Sequence, residues 1–309
     1  MTARTSGSSA TAPSTRPSVL LVTAALFASG EIGGDLVAAL DRAGVDARWV
    51  VWDDEAVDWD ADLVAVRSAW DYHRRCPEFL AWARRVERIS PLLNGAEVFA
   101  WNADKAYLLE LADHVPVVPT RLMDDSTLVS GLTAGLEEFG AIVVKPRIGA
   151  SGVGLVVVEE PLDARLQGLV AGPWVVQPLV ESVRTSGETS VYVFAGRAVS
   201  QVDKRPGGAE VRVHELYGGS SRAVPLGEQT AALAEQTVRA AERLLTADLA
   251  YARVDMMTWQ SGWAVSELEL IEPGLYLDVD PANADRFASL VRSRLQPPGR
   301  TPAHDRADP

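Results

Sequence analysis

The chain of 309 residues has a formal net charge of -13, and 47% of its residues are hydrophobic. A chain of this size can bury a large core, but it lacks the clustered basic charge of a nucleic-acid-binding surface. Cys76 is the only cysteine, which excludes an intrachain disulfide and zinc sites built from cysteine pairs. We therefore expect a cytoplasmic protein with a small-molecule partner and no nucleic-acid or membrane partner, and we leave a homodimer open.

Both ends of the chain are polar, and we expect disordered tails over residues 1–17 and 296–309. Residues 19–28 are apolar and follow arginines, as in a signal peptide, but the run stops at Gly30 and lacks a convincing cleavage site. We interpret this run as the first buried strand. No stretch approaches the length of a membrane span.

Strands and helices alternate in the first third of the chain. Apolar residues recur at helical spacing after the first strand, at Ile32, Leu36, Ala39 and Leu40. The segments ARWVVW and DLVAVR have the character of strands, and Pro77 stands at a favoured first position of a further helix. This alternation predicts a small parallel α/β domain over residues 18–101.

Antiparallel β-structure is predicted after Ala141. Before it, Asn102 is expected to cap a helix over ADKAYLLELAD. Strand signals follow in VVVEE, WVVQPLV and the hairpin TSVYVFAGRAVSQVDK, and a helix is predicted over residues 228–245. Two more strands, YARVDMMTW and WAVSELELI, are joined by a turn at residues 260–262. We expect a central subdomain over residues 102–180 and a carboxyl-terminal one over residues 181–295.

A glycine-rich basic segment joins two apolar strands in AIVVKPRIGASGVGLVVVEE, residues 141–160. Its GASGVG run lacks the Lys-Ser/Thr of a Walker A loop and enters a strand rather than a helix, so it is not a Rossmann fingerprint either. Such a loop can offer backbone N–H groups to phosphate, and Lys145 just before it can neutralise phosphate charge. The alternative is a loose surface hairpin.

Acidic residues converge on the last two predicted strands. Arg253 and Asp255 alternate along one strand, and Glu267 and Glu269 alternate along the next, so each pair faces one side of the sheet. Glu272 follows just beyond. Carboxylates brought together in this way suit magnesium, which takes carboxylate and phosphate oxygens. An exposed polar face of the sheet is the alternative.

The order of these segments resembles the ATP-grasp ligase family over most of the chain, about residues 19–290. The resemblance rests on NADKAYLLELAD with VPVVPT, VVKPRIGASGVG, VVQPLVE, GETSVYVFAGR, and ARVDMM with ELELIEPG. It implies an α/β (α+β) ATP-grasp fold: an N-terminal parallel α/β domain, a central ATP-lid subdomain and a C-terminal antiparallel-sheet subdomain. The family usually shows Glu-x-Asn before Pro-Gly, and the asparagine is missing here.

The resemblance also implies ATP and Mg²⁺ as cofactors and assigns candidate residues to them. The implied ATP-binding residues are Lys105, Lys145, Gly149, Ser151, Gly152, Gly154, Gln177, Leu179, Val180, Glu181 and Glu188. The implied magnesium ligands are drawn from Asp255, Glu267, Glu269 and Glu272, and the altered spacing leaves open which glutamates bind the metal. The implied catalytic residues are Arg253, Lys204 and Arg205, where Arg253 or Arg205 would hold a substrate carboxylate.

The segment VRSAWDYHRR follows a predicted parallel strand, where ligands of α/β sheets often bind. Its candidate substrate-binding residues, together with one basic residue farther along the chain, are Arg67, Ser68, Trp70, Asp71, Tyr72 and Arg212. The alternative is a helix start in which Trp70 packs into the core.

ATP-grasp enzymes typically activate a carboxylate as an acyl phosphate for attack by nitrogen. RSAWDYHRR and ELELIEPGLYLD resemble the branch that includes the ligase forming D-cycloserine from O-ureido-D-serine. The resemblance therefore implies an ADP-forming carbon–nitrogen ligase that closes a ring within one substrate molecule, in antibiotic biosynthesis. Two alternatives stay open: an intermolecular ligase of amino acids or peptides in the same fold, and a noncatalytic ATP-binding module.

Overall fold

The amino-terminal part of the chain folds as a three-stranded parallel sheet in the computed structural model, which describes residues 16–296. Strand β1 (Ser18–Thr23) lies between β2 (Asp46–Val51) and β3 (Leu63–Ser68), and it pairs with both in parallel. The predicted first strand is thus shorter than residues 19–28, because a 3-10 helix over Ala25–Phe27 follows it directly. The parallel pairing predicted from the alternation is confirmed.

Helices α1 (Leu36–Arg42) and α2 (Cys76–Glu87) cover this sheet. Helix α1 begins later than the apolar spacing predicts, because the Asp35 side chain accepts from the Ala38 N–H and caps it there. Ile32 lies before the helix and is 75% exposed, so including it in the helical face was wrong. Pro77 lies in the first turn of α2, where a missing N–H costs nothing.

Asn102 connects two distant parts of the chain instead of capping a helix. It is the last residue of α3 (Ala96–Asn102), and α4 (Tyr107–Ala112) begins only later. Its amide donates to the Leu268 carbonyl and accepts from the Leu270 N–H, both at 2.8 Å. The predicted capping role is therefore wrong, and a buried contact with the carboxyl-terminal sheet replaces it.

A four-stranded antiparallel sheet forms the middle of the chain, in the order β4-β7-β5-β6. Its strands are β4 (Arg121–Met123), β5 (Ile142–Pro146), β6 (Val156–Val158) and β7 (Trp174–Pro178), and α5 (Leu128–Phe139) packs on it. The glycine-rich segment connects β5 to β6, which pair in antiparallel fashion. The segment therefore leaves and re-enters one sheet, as the sequence predicts.

The carboxyl-terminal part is a five-stranded antiparallel sheet in the order β10-β9-β8-β11-β12. The strands are β8 (Glu188–Phe194), β9 (Arg197–Arg205), β10 (Ser220–Val224), β11 (Tyr251–Trp259) and β12 (Gly262–Glu269). Helices α6 (Ser182–Thr185), α7 (Glu228–Leu245) and α8 (Ala282–Leu295) complete the fold. Within residues 16–296, no helix combines the length and the apolarity needed to cross a membrane.

The predicted tails fall mostly outside the described part of the chain, which leaves out residues 1–15 and 297–309. At the inner end of the first, the Arg16 guanidinium pairs with Asp41 at 2.8 Å.

A buried ion pair joins the parallel sheet to the carboxyl-terminal sheet. Arg67 at the end of β3 is 0% exposed, and its Nε donates to Glu31 at 3.0 Å. Its Nη2 donates to the Pro273 carbonyl at 2.6 Å, and the guanidinium lies 4.7 Å from the centroid of the Phe287 ring. Glu31 in turn accepts from the Leu275 N–H at 2.8 Å. Burial raises the pKa of Glu31, and the neighbouring Arg67 opposes that rise.

Removing the guanidinium by Arg67→Ala should lower the free energy of unfolding by about 3–5 kcal/mol, because Glu31 stays buried without its partner. Urea denaturation measures the change. Arg42→Ala provides a control, since Arg42 pairs with Asp285 at 2.6 Å but the two side chains are 61% and 65% exposed. That pair should contribute about 0–1 kcal/mol. Equal losses in the two variants would contradict the role assigned to burial.

Candidate active site

Three carboxylates meet on β11 and β12, the last two strands of the carboxyl-terminal sheet. Asp255 of β11 stands opposite Glu267 of β12, and Glu269 stands opposite Arg253. One oxygen from each of Asp255, Glu267 and Glu269 lies within 4.8 Å of the others. We call these three residues the acid trio. An all-oxygen donor set of this kind suits a hard cation such as Mg²⁺, so the residues present fit the implied metal.

Arg253 pairs with two members of the acid trio. Its Nε and Nη2 donate to Asp255 at 3.0 and 2.9 Å, and Nη2 also donates to Glu269. No hydrogen bond within residues 16–296 uses Nη1 of this arginine. Burial alone would raise the pKa of Asp255, but Arg253 and Lys204 outweigh it and hold that pKa well below its usual range. At Glu269, burial with the charges of Asp255 and Glu267 outweighs Arg253 and raises the pKa to about 7.

Lys204 of β9 lies between two acids on the same face of the sheet. Its ammonium is 2.5 Å from Glu188 and 3.3 Å from Asp255, and its side chain is 3% exposed. Burial disfavours the charged form, yet the two carboxylates more than compensate and raise the pKa of Lys204. Glu188, predicted to bind the nucleotide, therefore belongs to the charged cluster around the acid trio.

Two serines of this cluster are not among the site residues predicted from the sequence. Ser190 donates to Asp255 at 2.5 Å, and Ser266 donates to Glu188 at 3.2 Å. Ser190 shares a strand face with Glu188 by period-two alternation, which is the signal that could have identified it.

Lys105 links the acid trio to the glycine-rich loop. Its ammonium lies 2.9 Å from Glu267 and donates to the Gly149 carbonyl at 2.8 Å. Lys145, at the end of β5, has no hydrogen bond or ion pair to its ammonium from any residue between 16 and 296. Burial lowers the pKa of Lys145, with Lys105 adding to the effect and Glu267 opposing it. A group that lacks a protein partner in this way is available to an anionic ligand.

The loop after Lys145 relies on glycine for its path. Ser151, Gly152 and Gly154 all have positive φ values, of 54°, 67° and 75°. A Cβ at Gly154 would lie 2.9 Å from the Val170 side chain, so a larger residue would clash as well as being strained. Arg147 anchors the start of the loop through its pair with Asp104 at 2.5 Å.

The residues implied to surround adenine and ribose lie at the end of β7 and directly after it. Gln177, Leu179 and Val180 are buried, and the Gln177 amide donates to Thr120 at 2.9 Å. Glu181 is exposed and lies 3.5 Å from Arg184. These residues lie between the central sheet and the carboxyl-terminal sheet. Among residues 16–296, no hydrogen bond links them to the acid trio.

The segment after β3 is divided between interior and site. Arg67 and Ser68 are 0% exposed, and Ser68 donates to Thr23 at 2.8 Å, so both support the fold here while their substrate contact stays a prediction. Tyr72 is also buried, packed beside Phe79. Trp70 and Asp71 stay partly exposed. Asp71 accepts from the Trp52 indole at 3.0 Å.

The two arginines beyond Lys204 take different positions. Arg205 is exposed at the end of β9. Arg212 pairs with Glu210 at 2.5 Å and lies 3.5 Å from the Tyr217 ring centroid. A Cβ at Gly152 would lie 3.3 Å from Arg212, so this arginine contacts the glycine-rich loop rather than the acid trio.

Glu272 lies outside the acid trio, although the sequence groups it with the metal ligands. It is 7% exposed, and burial together with the charge of Glu269 raises its pKa well above the usual range. The chain around it is held tightly, because the carbonyls of residues 271–275 each accept from a side chain of another element. The donors, in that order, are Tyr251 (2.8 Å), Trp70 (3.2 Å), Arg67 (2.6 Å), Tyr192 and Asn283 (2.9 Å).

Comparison with known proteins identifies the family. The chain is 33% identical over 279 residues to the cycloserine biosynthesis protein DcsG of Streptomyces lavendulae, covering 85% of this chain and 93% of that protein. The chain belongs to the D-cycloserine synthetase family of ATP-grasp ligases. A family model described as D-cycloserine synthetase DcsG, N-terminal domain, matches residues 19–94. The resemblance found in the sequence is thereby confirmed.

Solved structures agree with this family and its fold. The crystal structure of D-cycloserine synthetase DcsG superposes with a TM-score of 0.79 at 30% identity, covering 90% of this chain and 100% of that one. D-alanine–D-alanine ligase of Bacillus anthracis gives a TM-score of 0.63 at 14% identity, covering 91% and 97% of the two chains. The ATP-grasp ligase PsnB gives 0.62 at 17% identity, covering 91% and 99%. The predicted ATP-grasp fold is confirmed, and this protein is a ligase.

Because Lys204 lies between two buried acids, removing its charge should have a large effect on the free energy of unfolding. Lys204→Met keeps much of the side-chain volume but leaves Glu188 and Asp255 short of a partner, so the free energy of unfolding should fall by about 3–5 kcal/mol. Urea denaturation measures it. The double variant Lys204→Met, Glu188→Gln should lose less than the sum of the single changes, since it leaves fewer unpaired charges. Strict additivity would show that the two groups do not interact.

Proposed function

We propose that the chain is an ATP-dependent, ADP-forming ligase that activates a small amino-acid carboxylate as an acyl phosphate. One arrangement carries this proposal: Lys105 contacts both Glu267 of the acid trio and Gly149 of the glycine-rich loop. It therefore brings a donor set for a hard cation next to a flexible loop of backbone N–H groups. Phosphoryl transfer depends on positioning and charge stabilisation, which such groups provide.

Each part of the site has a proposed task. The acid trio would hold Mg²⁺, which when bound neutralises negative charge on the phosphate oxygens. Lys105 and Lys145 would bind phosphate oxygens, and the loop of Gly149, Ser151, Gly152 and Gly154 would cover them. Gln177, Leu179, Val180 and Glu181 would contact adenine and ribose. Arg253 would use its remaining Nη1 hydrogens for the substrate carboxylate, a geometry that guanidinium suits.

We further propose O-ureido-D-serine as the substrate and D-cycloserine as the product, supported by the similarity to the cycloserine biosynthesis protein DcsG. The substrate carboxylate would take the γ-phosphoryl group of ATP, which leaves ADP. The ureido nitrogen bonded to oxygen would then attack the carbonyl carbon, close a five-membered ring and expel phosphate. Hydrolysis of the carbamoyl group on that nitrogen would release carbon dioxide and ammonia. Attack within one bound molecule benefits from proximity.

The substrate assignment predicts magnesium-dependent release of ADP and phosphate with O-ureido-D-serine alone. Coupled assays for ADP, with mass spectrometry for the cyclic product, measure the reaction. Turnover only with pairs of amino acids would show that the enzyme is an intermolecular ligase and not a cyclising one. Binding of ATP without phosphate release under any of these conditions would favour the noncatalytic module. Cytoplasmic location and a homodimer stay predictions.

The metal assignment predicts that Asp255→Asn and Glu269→Gln each reduce kcat by on the order of 10²–10³-fold or more, because each removes one oxygen charge from the cation site. Steady-state assays over a magnesium titration measure this, and circular dichroism checks the fold. Asp285→Asn is the control, since that carboxylate is exposed and pairs with Arg42 on the surface, away from the acid trio. Near-normal turnover in either trio variant would refute its assigned role.

A further inference from the structure

Glu272 is a buried acid to which the proposed mechanism gives no task. It is 7% exposed, and it is not among the carboxylates close enough to share a cation. Burial and the charge of Glu269 raise the pKa of its carboxyl group, and the Glu272 backbone N–H offsets a small part of that rise. No other residue of the described chain donates a hydrogen bond or offers an ion pair to this carboxyl group. A carboxylate left in this way is costly unless it takes up a proton or a ligand supplies the missing charge or donor.

The backbone that carries this acid is fixed from several sides. The Glu272 carbonyl accepts from the Trp70 indole at 3.2 Å, and the Pro273 carbonyl accepts from Arg67 at 2.6 Å. The Ile271 carbonyl before them accepts from Tyr251 at 2.8 Å. A side chain that binds a ligand with accurate geometry needs neighbouring groups that fix the backbone carrying it. Glu272 is therefore presented from a rigid base.

Charge pairing around the site indicates which kind of ligand Glu272 suits. Lys105, Arg253 and Lys204 already pair with acids, and the acid trio fits a metal cation. Of the charged groups close to the acid trio, two have no side-chain hydrogen bond or ion pair to another residue between 16 and 296: the Lys145 ammonium and the Glu272 carboxyl group. Lys145 is the natural partner of a phosphate. Glu272 requires a positive hydrogen-bond donor instead.

A second metal ion does not satisfy this requirement. Magnesium takes six oxygen ligands and is usually held by more than one protein or phosphate oxygen. Glu272 stands apart from the acid trio, and the carbonyls of residues 271–275 already accept from side chains. A primary ammonium carries its charge on three donors and needs only one strong acceptor to be bound well.

The location supports a substrate amine rather than a nucleotide group. Glu272 lies three residues beyond Glu269, and the Trp70 indole that holds its carbonyl belongs to the partly exposed segment after β3. Its charge also reaches Tyr72 of that segment, whose pKa is raised first by burial and then by Glu272. Ligands of parallel α/β sheets bind beyond the carboxyl ends of strands such as β3.

We propose that the Glu272 carboxylate accepts hydrogen bonds from the ammonium group of the amino-acid substrate and thereby selects amine-bearing substrates. This inference rests on the proposed function, in which the substrate is an amino acid whose carboxylate is activated. Glu272 is on this basis a substrate-binding residue, not a magnesium ligand. Its contribution is specific to the amine, so it should disappear with a substrate that lacks the amine.

The test compares O-ureido-D-serine with its des-amino analogue, 3-(ureidooxy)propanoic acid, in the wild type and in Glu272→Gln. Loss of the charge should lower kcat/KM for the amine-bearing substrate by on the order of 10²-fold, chiefly through KM. For the analogue, kcat/KM should change by less than about threefold, since the analogue offers no partner to the carboxylate. Glu269→Gln is the comparison variant, because a metal ligand should affect both substrates and the magnesium dependence.

The outcomes distinguish a failure of the ammonium assignment from a failure of the proposed function. Equal losses for both substrates, or a shifted magnesium dependence in Glu272→Gln, would overturn the ammonium assignment while the proposed function stands. No turnover of O-ureido-D-serine by the wild type would overturn the proposed function and this inference with it. If Glu272→Gln does not fold, Glu272→Asp replaces it, and the shorter acid must still penalise only the amine-bearing substrate.

Discussion

The structure depends on the pairing of buried charge across one face of the carboxyl-terminal sheet. Strands β8, β9, β11 and β12 bring acids and bases together where water has little access, and a lone charge there would destabilise the fold. Lys204 and Arg253 share Asp255 between them, and Arg253 also holds Glu269. This sharing keeps several carboxylates close to one another before any cation binds. The proposed cation site is thus built on pairing that already exists in the protein.

A second constraint acts where β12 ends. A chain that leaves a sheet loses its ladder hydrogen bonds, and buried carbonyls then need other donors. Side chains from the parallel sheet region, from β8 and β11 and from α8 supply them along residues 271–275. The burial of Arg67 follows from this task. The amino-terminal sheet and the carboxyl-terminal sheet are therefore connected at the segment that carries Glu272, so the geometry of the site depends on both.

The acid trio could be predicted from the sequence because its geometry is local. Strands β11 and β12 are joined by a tight turn, so alternation along each strand places Asp255, Glu267 and Glu269 on one face. Asn102 and Arg67 could not be placed in this way. Their partners lie 166 and 206 residues away along the chain, and no local pattern announces a buried polar contact. For Glu272, which lies beyond the end of β12, alternation gives no guidance.

The missing asparagine of the family motif can be explained by charge. A glutamate at position 269 adds a negative charge where the usual residue is a neutral amide, and an uncompensated charge there would repel Asp255 and Glu267. Arg253 stands opposite Glu269 in the ladder and donates to one of its carboxylate oxygens. The second oxygen accepts from no residue in the described part of the chain, so it stays free to face a cation. Arg253 thus offsets part of the charge of Glu269, and in the proposed site a bound cation would offset the remainder.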